Sequence, residues 1–190
     1  MLEHFVENLV STIVAVGSLF FPFIQGVEPA FSDVRIEVSS GKMYLSTQVI
    51  HCYTEELDKV LTSGQEIRLN FRVEVFPEKS SKAVLRKTFY HNVKHNLLDT
   101  NFDVFFSEED VHRQFNDIEN VHAGFTNVNR VLIVEADNLL PGKRYFIRIS
   151  AELDDITFLG TRDDLDLMLF WNNTEPTIRT ELFDLSRFAY

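Results

Sequence analysis

The chain reads as a mainly β protein, an antiparallel β-sandwich with two short helices, and three observations predict this. Glu66 to Phe76 (EIRLNFRVEVF) alternates apolar and polar residues, putting Ile67, Leu69, Phe71, Val73 and Val75 on one face and Arg68, Asn70, Arg72 and Glu74 on the other. A period of two marks a sheet buried on one side and wet on the other. Arg144 to Leu153 (RYFIRISAEL) repeats the pattern. Strand signals outnumber helical ones, and the βαβ alternation that would build a parallel sheet is missing.

Taken in order, Asp33 to Val38 and Lys42 to Ile50 read as strands joined by Ser39-Ser40-Gly41, a connection with the glycine a tight hairpin wants. Thr54 then reads as a helix N-cap. Glu55 and Glu56 sit at the positive end of that helix, Leu57, Val60 and Leu61 share a face, and Gly64 suits the stop. After the long strand ending at Phe76, Pro77 to Ser81 is a turn. Ala83 to Val93 and Phe102 to Phe106 are less regular strands. Ser107 opens the second predicted helix, with Glu108, Glu109 and Asp110 in its first turn, Val111, Phe115 and Ile118 on one face and an end near Gly124. Val131 to Val134 is a brief strand and Leu140 to Lys143 a turn. Asp164 to Trp171 (DLDLMLFW) reads as a last strand with Leu165, Leu167, Leu169 and Trp171 on one face. The two helices cover an end or edge of a sandwich loosely like the immunoglobulin fold.

At 190 residues and 22.1 kDa, with 45% hydrophobic residues and 18 Phe, the chain has the length and apolar area for one core without staples. A net charge of -11 excludes nucleic acid as a partner, because phosphate backbones are held by clustered Lys and Arg, and it disfavours electrostatic docking to an anionic membrane.

Leu9 to Ile24 is a run of 16 uncharged, mostly apolar residues, the length of a signal-peptide core and short of a comfortable span. Residues 1–32 therefore read as a signal peptide or N-terminal membrane anchor and 33–190 as a single β-rich domain. Ala30 and Ser32 are the small residues of a cleavage site that would leave Asp33 as the mature start. Cleavage there removes three acids and no Lys or Arg, so the charge goes from -11 to -11 + 3 = -8. The n-region departs from the usual pattern: it carries Glu3 and Glu7, and the first basic residue is Arg35. A buried N-terminal helix is the competing account.

No motif names a chemistry. Cys52, beside His51, reads as a small buried hydrophobe in preference to a reactive thiol. His91 and His95 share a side in strand or helix, a spacing that can hold a metal. They need a third ligand such as His112, His122 or an acid, so they read as surface or edge histidines. Asp154, Asp155, Asp163, Asp164 and Asp166 lack the glycine-centred spacing of a calcium loop. No Gly-x-Ser-x-Gly elbow occurs, and no catalytic residue, metal ligand or cofactor is assigned. Trp171, followed by Asn172 and Asn173, reads as core before recognition surface. The aromatic end Arg187-Phe188-Ala189-Tyr190 does not make an outer-membrane barrel, since the strands are too few and too charged.

Several pieces together resemble a known family: DVRIEVSSGKMYLSTQV, ELDKVLTSGQEIRLNFRVEVF, LRKTFYHNVKHNLLDTNFDV, FNDIENV, LLPGKRYFIRISAELD and the late Trp171. ELDKVLTSGQEIRL and LLPGKRYFIRISAELD are the most specific. From Asp33 to about Leu185 the chain is similar to an uncharacterised bacterial family, a domain of unknown function of exported proteins of about this length. The resemblance implies an export signal, a mostly β domain and no established activity, with some members encoded near sensor histidine kinases. It carries over no catalytic residue. The acidic n-region and the longer polar tail after Trp171 depart from its pattern.

Two functions follow as expectations. The first is a non-catalytic, exported cell-envelope protein, periplasmic or tethered through Leu9 to Ile24. It would bind a protein, such as a membrane sensor, or a small ligand through a sheet face or loops such as Asn92 to Asn101 and Asp154 to Asp163. The second is a metal-dependent hydrolase or metal carrier using His91 and His95.

Overall fold

The computed structural model describes residues 26–32, 34–135, 138–157 and 164–185. The segment Leu9 to Ile24, Asp163 and the terminal Arg187 to Tyr190 lie outside the described residues, and no helix among the described residues is long and apolar enough to cross a membrane.

The chain is mainly β and its named strands pair antiparallel. Strands β1 (Ala30–Phe31), β2 (Arg35–Ser39) and β3 (Lys42–Ile50) precede helix α1 (Glu55–Leu61). Then come β4 (Glu66–Pro77), β5 (Leu85–Asn96), β6 (Asn101–Phe106), β7 (Val111–Phe115), helix α2 (Ile118–Phe125), β8 (Asn127–Glu135) and β9 (Tyr145–Leu153). A short pair, β10 (Ile156–Thr157) with β11 (Asp164–Leu165), a 3-10 turn at Leu167–Trp171 and β12 (Thr177–Arg179) complete the order. The large sheet has six strands in the order β12-β9-β4-β5-β6-β7. In the small sheet β3 is the shared strand: β2 pairs with its first half, β1 with its end, and β8 runs along it from Lys42 to Gln48. The two sheets enclose one core, the expected sandwich.

Alternation sets which face is buried. Ile67, Leu69, Phe71, Val73 and Val75 of β4 are each at most 1% exposed, and Tyr145, Ile147, Ile149, Ala151 and Leu153 of β9 join them inside. Met43, Leu45 and Val49 of β3 and Val128, Val131 and Ile133 of β8 supply the opposite wall. The β2–β3 hairpin turns on Ser40 and Gly41, both at positive φ (52° and 72°), the backbone that a two-residue turn compatible with strand twist requires. Helix α1 is capped as expected, the Thr54 hydroxyl accepting from the Leu57 N–H at 3.1 Å, with Leu57, Val60 and Leu61 buried.

The second helix begins later than its sequence signal. Ser107 to Asp110 form the β6–β7 turn, with Asp110 at φ 56°, and Val111 pairs with Phe106 in an edge strand. The Ser107 hydroxyl accepts from the Tyr90 N–H at 2.7 Å instead of capping a helix, and Glu108 turns inward. Helix α2 starts at Ile118, capped by Asp117, whose carboxylate accepts from the Asn120 N–H at 2.8 Å. The last predicted strand is also corrected. Only Asp164–Leu165 is strand, because the Asp166 side chain accepts from the Met168 N–H at 2.8 Å and caps a 3-10 turn that buries Leu167, Phe170 and Trp171. The brief strand at Val131 to Val134 extends over Asn127–Glu135.

Residues 26–32, placed by the sequence ahead of the domain, are joined to it. The Val27 N–H donates to the Phe170 carbonyl at 3.0 Å and the Ser32 N–H to the Gln48 carbonyl at 2.8 Å, while Phe31 is 9% exposed. Gly26 lies so close to Asn172 that a Cβ there would fall 2.3 Å from its Oδ1.

Candidate functional site

The outward face of the large sheet can be read row by row from the strand register. Arg148, Glu74 and Arg86 form one row across β9, β4 and β5; Ser150, Arg72 and Thr88 form the next; Glu152, Asn70 and Tyr90 form a third. The small side chains of Ser150 and Thr88 leave a hollow around Arg72. A groove of about 330 Å³ opens there, bounded by Tyr90, Ser107, Glu152 and Glu175. That is the lower end of the size range of small-ligand sites.

The charges in and beside the groove are organised. Arg68 donates from Nε to Asn92 at 2.9 Å and lies 4.3 Å over the Tyr90 ring. Arg86 and Arg148 both donate to Glu74, whose side chain is 4% exposed. Arg72 differs. Its guanidinium stands 3.7 Å from Glu152 and 3.7 Å from Glu175, beyond hydrogen-bond length, and of these four arginines its side chain alone hydrogen-bonds to no described residue.

Burial by itself would raise the Glu74 carboxyl. Hydrogen bonds from Arg148 and Arg86, with their charges, outweigh it and hold the pKa below the ordinary 4.5. A depressed carboxyl contributes stability that is complete above its unfolded pKa and is lost as pH falls through the folded one. Because the Arg86 and Arg148 side chains are 64% and 48% exposed, water screens much of the attraction. Glu74→Gln is therefore expected to cost about 1–2 kcal/mol at neutral pH. It should also flatten the fall in stability below pH 4.5, which urea midpoints measured from pH 7 to 3 will show. Parallel pH profiles for the two proteins would refute the clamp.

The four histidines weighed as metal ligands are separated. His91 is fully buried, not at a surface or edge as its sequence context suggested. A carbonyl only accepts, so Nδ1 donates to Phe125 O at 2.6 Å, while Nε2 meets Glu108 Oε1 at 2.9 Å. The ring packs against Phe71 and Phe106, with centroids 4.9 and 4.7 Å away. The Glu108 side chain, 3% exposed, has its second oxygen buried without a hydrogen-bond partner among the described residues. His95 shares the strand face of His91 but donates from Nδ1 to the Thr62 carbonyl at 2.9 Å and stacks on Phe102. His112 pairs with Asp103 at 2.7 Å on the outward face, and His122 pairs with Asp58 at 2.7 Å while stacking on Tyr53. Among the described residues no three His, Cys, Asp or Glu side chains gather to hold a metal ion.

Three of the acids considered for calcium have protein partners, while Asp155 is exposed. Asp154 accepts from Asn70 at 2.5 Å, Asp164 from Thr157 at 2.6 Å, and Asp166 caps the 3-10 turn. Trp171 is core, 1% exposed, with its indole N–H on the Cys52 carbonyl at 2.8 Å; Asn172 and Asn173 are exposed at positive φ. Cys52 is 2% exposed, and burial pushes its thiol up to about 12, so the thiolate that reacts is scarce. Ellman's reagent at pH 8 is expected to leave it untouched in the native protein and to titrate one thiol after denaturation. Rapid reaction of the native thiol would show that the burial is wrong.

Two features escaped the sequence. The outward residues of β4 were legible from alternation, but the hollow around Arg72 depends on Thr88 and Ser150, which only the register brings beside it. Glu108 read as a helix-dipole partner, and nothing in Glu108-Glu109-Asp110 singles out the acid that turns inward.

No curated protein and no solved structure matches the chain. Residues 28–157 match the family model described as Domain of unknown function (DUF4390), and on that extent, well over half of the sequence, the chain belongs to this family.

Proposed function

We propose that this protein is a non-catalytic, exported module of the cell envelope that binds a ligand or a partner, such as a membrane sensor, through the outward face of its six-stranded sheet. The observation that carries the reading is the groove around Arg72, an open hollow in a sheet face where other arginines are engaged by neighbours. Export is supported by the uncharged run Leu9 to Ile24. A binding role in preference to catalysis is supported by the placement of the histidines: His91 is sealed in the core, and His95, His112 and His122 are each hydrogen-bonded to a neighbour and packed on an aromatic ring. The metal-dependent alternative, built on His91 and His95, gains no support from a His91 whose two ring nitrogens are both occupied.

Two measurements test the proposal. Intact mass of the native protein from separated cytoplasm, periplasm and membranes is expected to find it outside the cytoplasm, and a full-length soluble cytoplasmic chain would overturn export. A photo-crosslinking residue at Thr88, within the groove, is expected to capture a partner or ligand in cells, whereas the same residue at the exposed Asn129 of β8 is not. Equal capture at both positions, or none at Thr88, would remove the binding face.

A further inference from the structure

The charged groups lining the groove are Arg72, Glu152 and Glu175, a formal sum of -1, so a plain carboxylate or phosphate entering it meets two acids for one base. A simple cation would be attracted, yet it would leave the Arg72 guanidinium, 42% exposed and without a hydrogen bond to a described residue, facing its own positive charge. One kind of small molecule satisfies both requirements by carrying an anionic fork and a cationic head a few atoms apart. From this charge pattern we infer that the groove is a binding site for an α-amino-acid zwitterion. This deepens the binding-module reading above and rests on it.

The ligand's carboxylate takes the N–H fork of Arg72, the planar geometry that pairs two donors with two carboxylate oxygens. Its ammonium takes Glu152 and Glu175, which flank that fork: Glu152 lies near one terminal nitrogen of the guanidinium and Glu175 near the other, each at 3.7 Å. Two carboxylates already beside the guanidinium hold it in place and remain available to a second cation, because neither forms a hydrogen bond with it. The floor is made of small groups, Thr88 and Ser150. Tyr90 forms a wall whose ring Arg68 holds from 4.3 Å, and a volume of about 330 Å³ admits one amino acid with its side chain.

The test uses the purified full chain and a panel of the twenty free α-amino acids at millimolar concentration, read by amide chemical shifts in β4, β5 and β9. At least one amino acid is expected to give saturable shifts at residues around Arg72. Its des-amino acid and its decarboxylated amine should each bind about tenfold or more weaker, the scale of one charge-assisted contact. Arg72→Ala and Glu152→Gln, both at solvated outward positions, should weaken binding by a similar factor with unchanged thermal unfolding. No saturable shift with any amino acid overturns the inference, as does equal binding of the des-amino acid or insensitivity to Arg72→Ala. Capture of a partner from Thr88 together with a silent panel would discard the zwitterion and leave the binding face standing, so the two failures are distinguishable.

Discussion

Replacing Glu108 with alanine is expected to lower the unfolding free energy by about 3–5 kcal/mol, the cost of removing one member of a buried hydrogen-bonded pair. His91 Nε2 would lose the one hydrogen-bond partner it has among the described residues, inside a ring of Phe71, Phe89 and Phe106. The pair joins three elements: His91 lies in β5, Glu108 in the β6–β7 turn, and Phe125, which accepts from Nδ1, ends α2. Glu108→Gln leaves a hydrogen-bonding side chain of the same size opposite Nε2 and should cost less. The double variant His91→Phe, Glu108→Leu removes both side-chain polar groups together and should recover part of the loss, since apolar replacement of a buried pair is often nearly neutral while the Phe125 carbonyl forfeits its His91 donor. Urea melts of the three proteins at neutral pH decide the matter. An alanine cost below about 1 kcal/mol, the value of an exposed ion pair, would show that the pair is hydrated and open.

That pair also marks the limit of what the sequence discloses. The β4 strand was readable residue by residue because alternation reports burial directly, and α1 was readable because Thr54, the acids after it and its apolar spacing agree. Ser107-Glu108-Glu109-Asp110 carries the same capping chemistry as α1 and folds as a turn. Its serine finds the Tyr90 N–H and its first acid finds His91, partners contributed by a strand 17 residues earlier. Asp164 to Trp171 alternates as well as β9 does, but the Asp166 side chain reaches the Met168 N–H and the backbone curls to bring Trp171 to the Cys52 carbonyl. In both segments a tertiary contact overrides a local signal that is correct in kind. The candidate site follows the same division. Alternation alone puts Arg72 on the wet face, whereas the hollow around it comes from small residues on two other strands.

A chain that begins at Asp33, the mature start the sequence suggests, is expected to be less stable than one that begins at Gly26 by about 2–3 kcal/mol, roughly the worth of one buried phenylalanine. The loss comes from Phe31, which is 9% exposed and pairs with Val49 on β3, and from the hydrogen bonds of Val27 and Ser32. Hydrogen bonds add less than the ring, because the freed Phe170 and Gln48 carbonyls can turn to water. Urea midpoints of the two chains at equal slope measure the difference, and hydrogen exchange in β3 from Gln48 to Ile50 should rise in the shorter one. Equal midpoints would mean that residues 26–32 merely rest on the domain, leaving cleavage at Ser32 without structural cost. The expected loss would instead make residues 26–32 part of the packed domain, held to it through β1. Val27 is anchored to Phe170, in the 3-10 turn that also buries Trp171, so the same contacts tie the start of the domain to its C-terminal part.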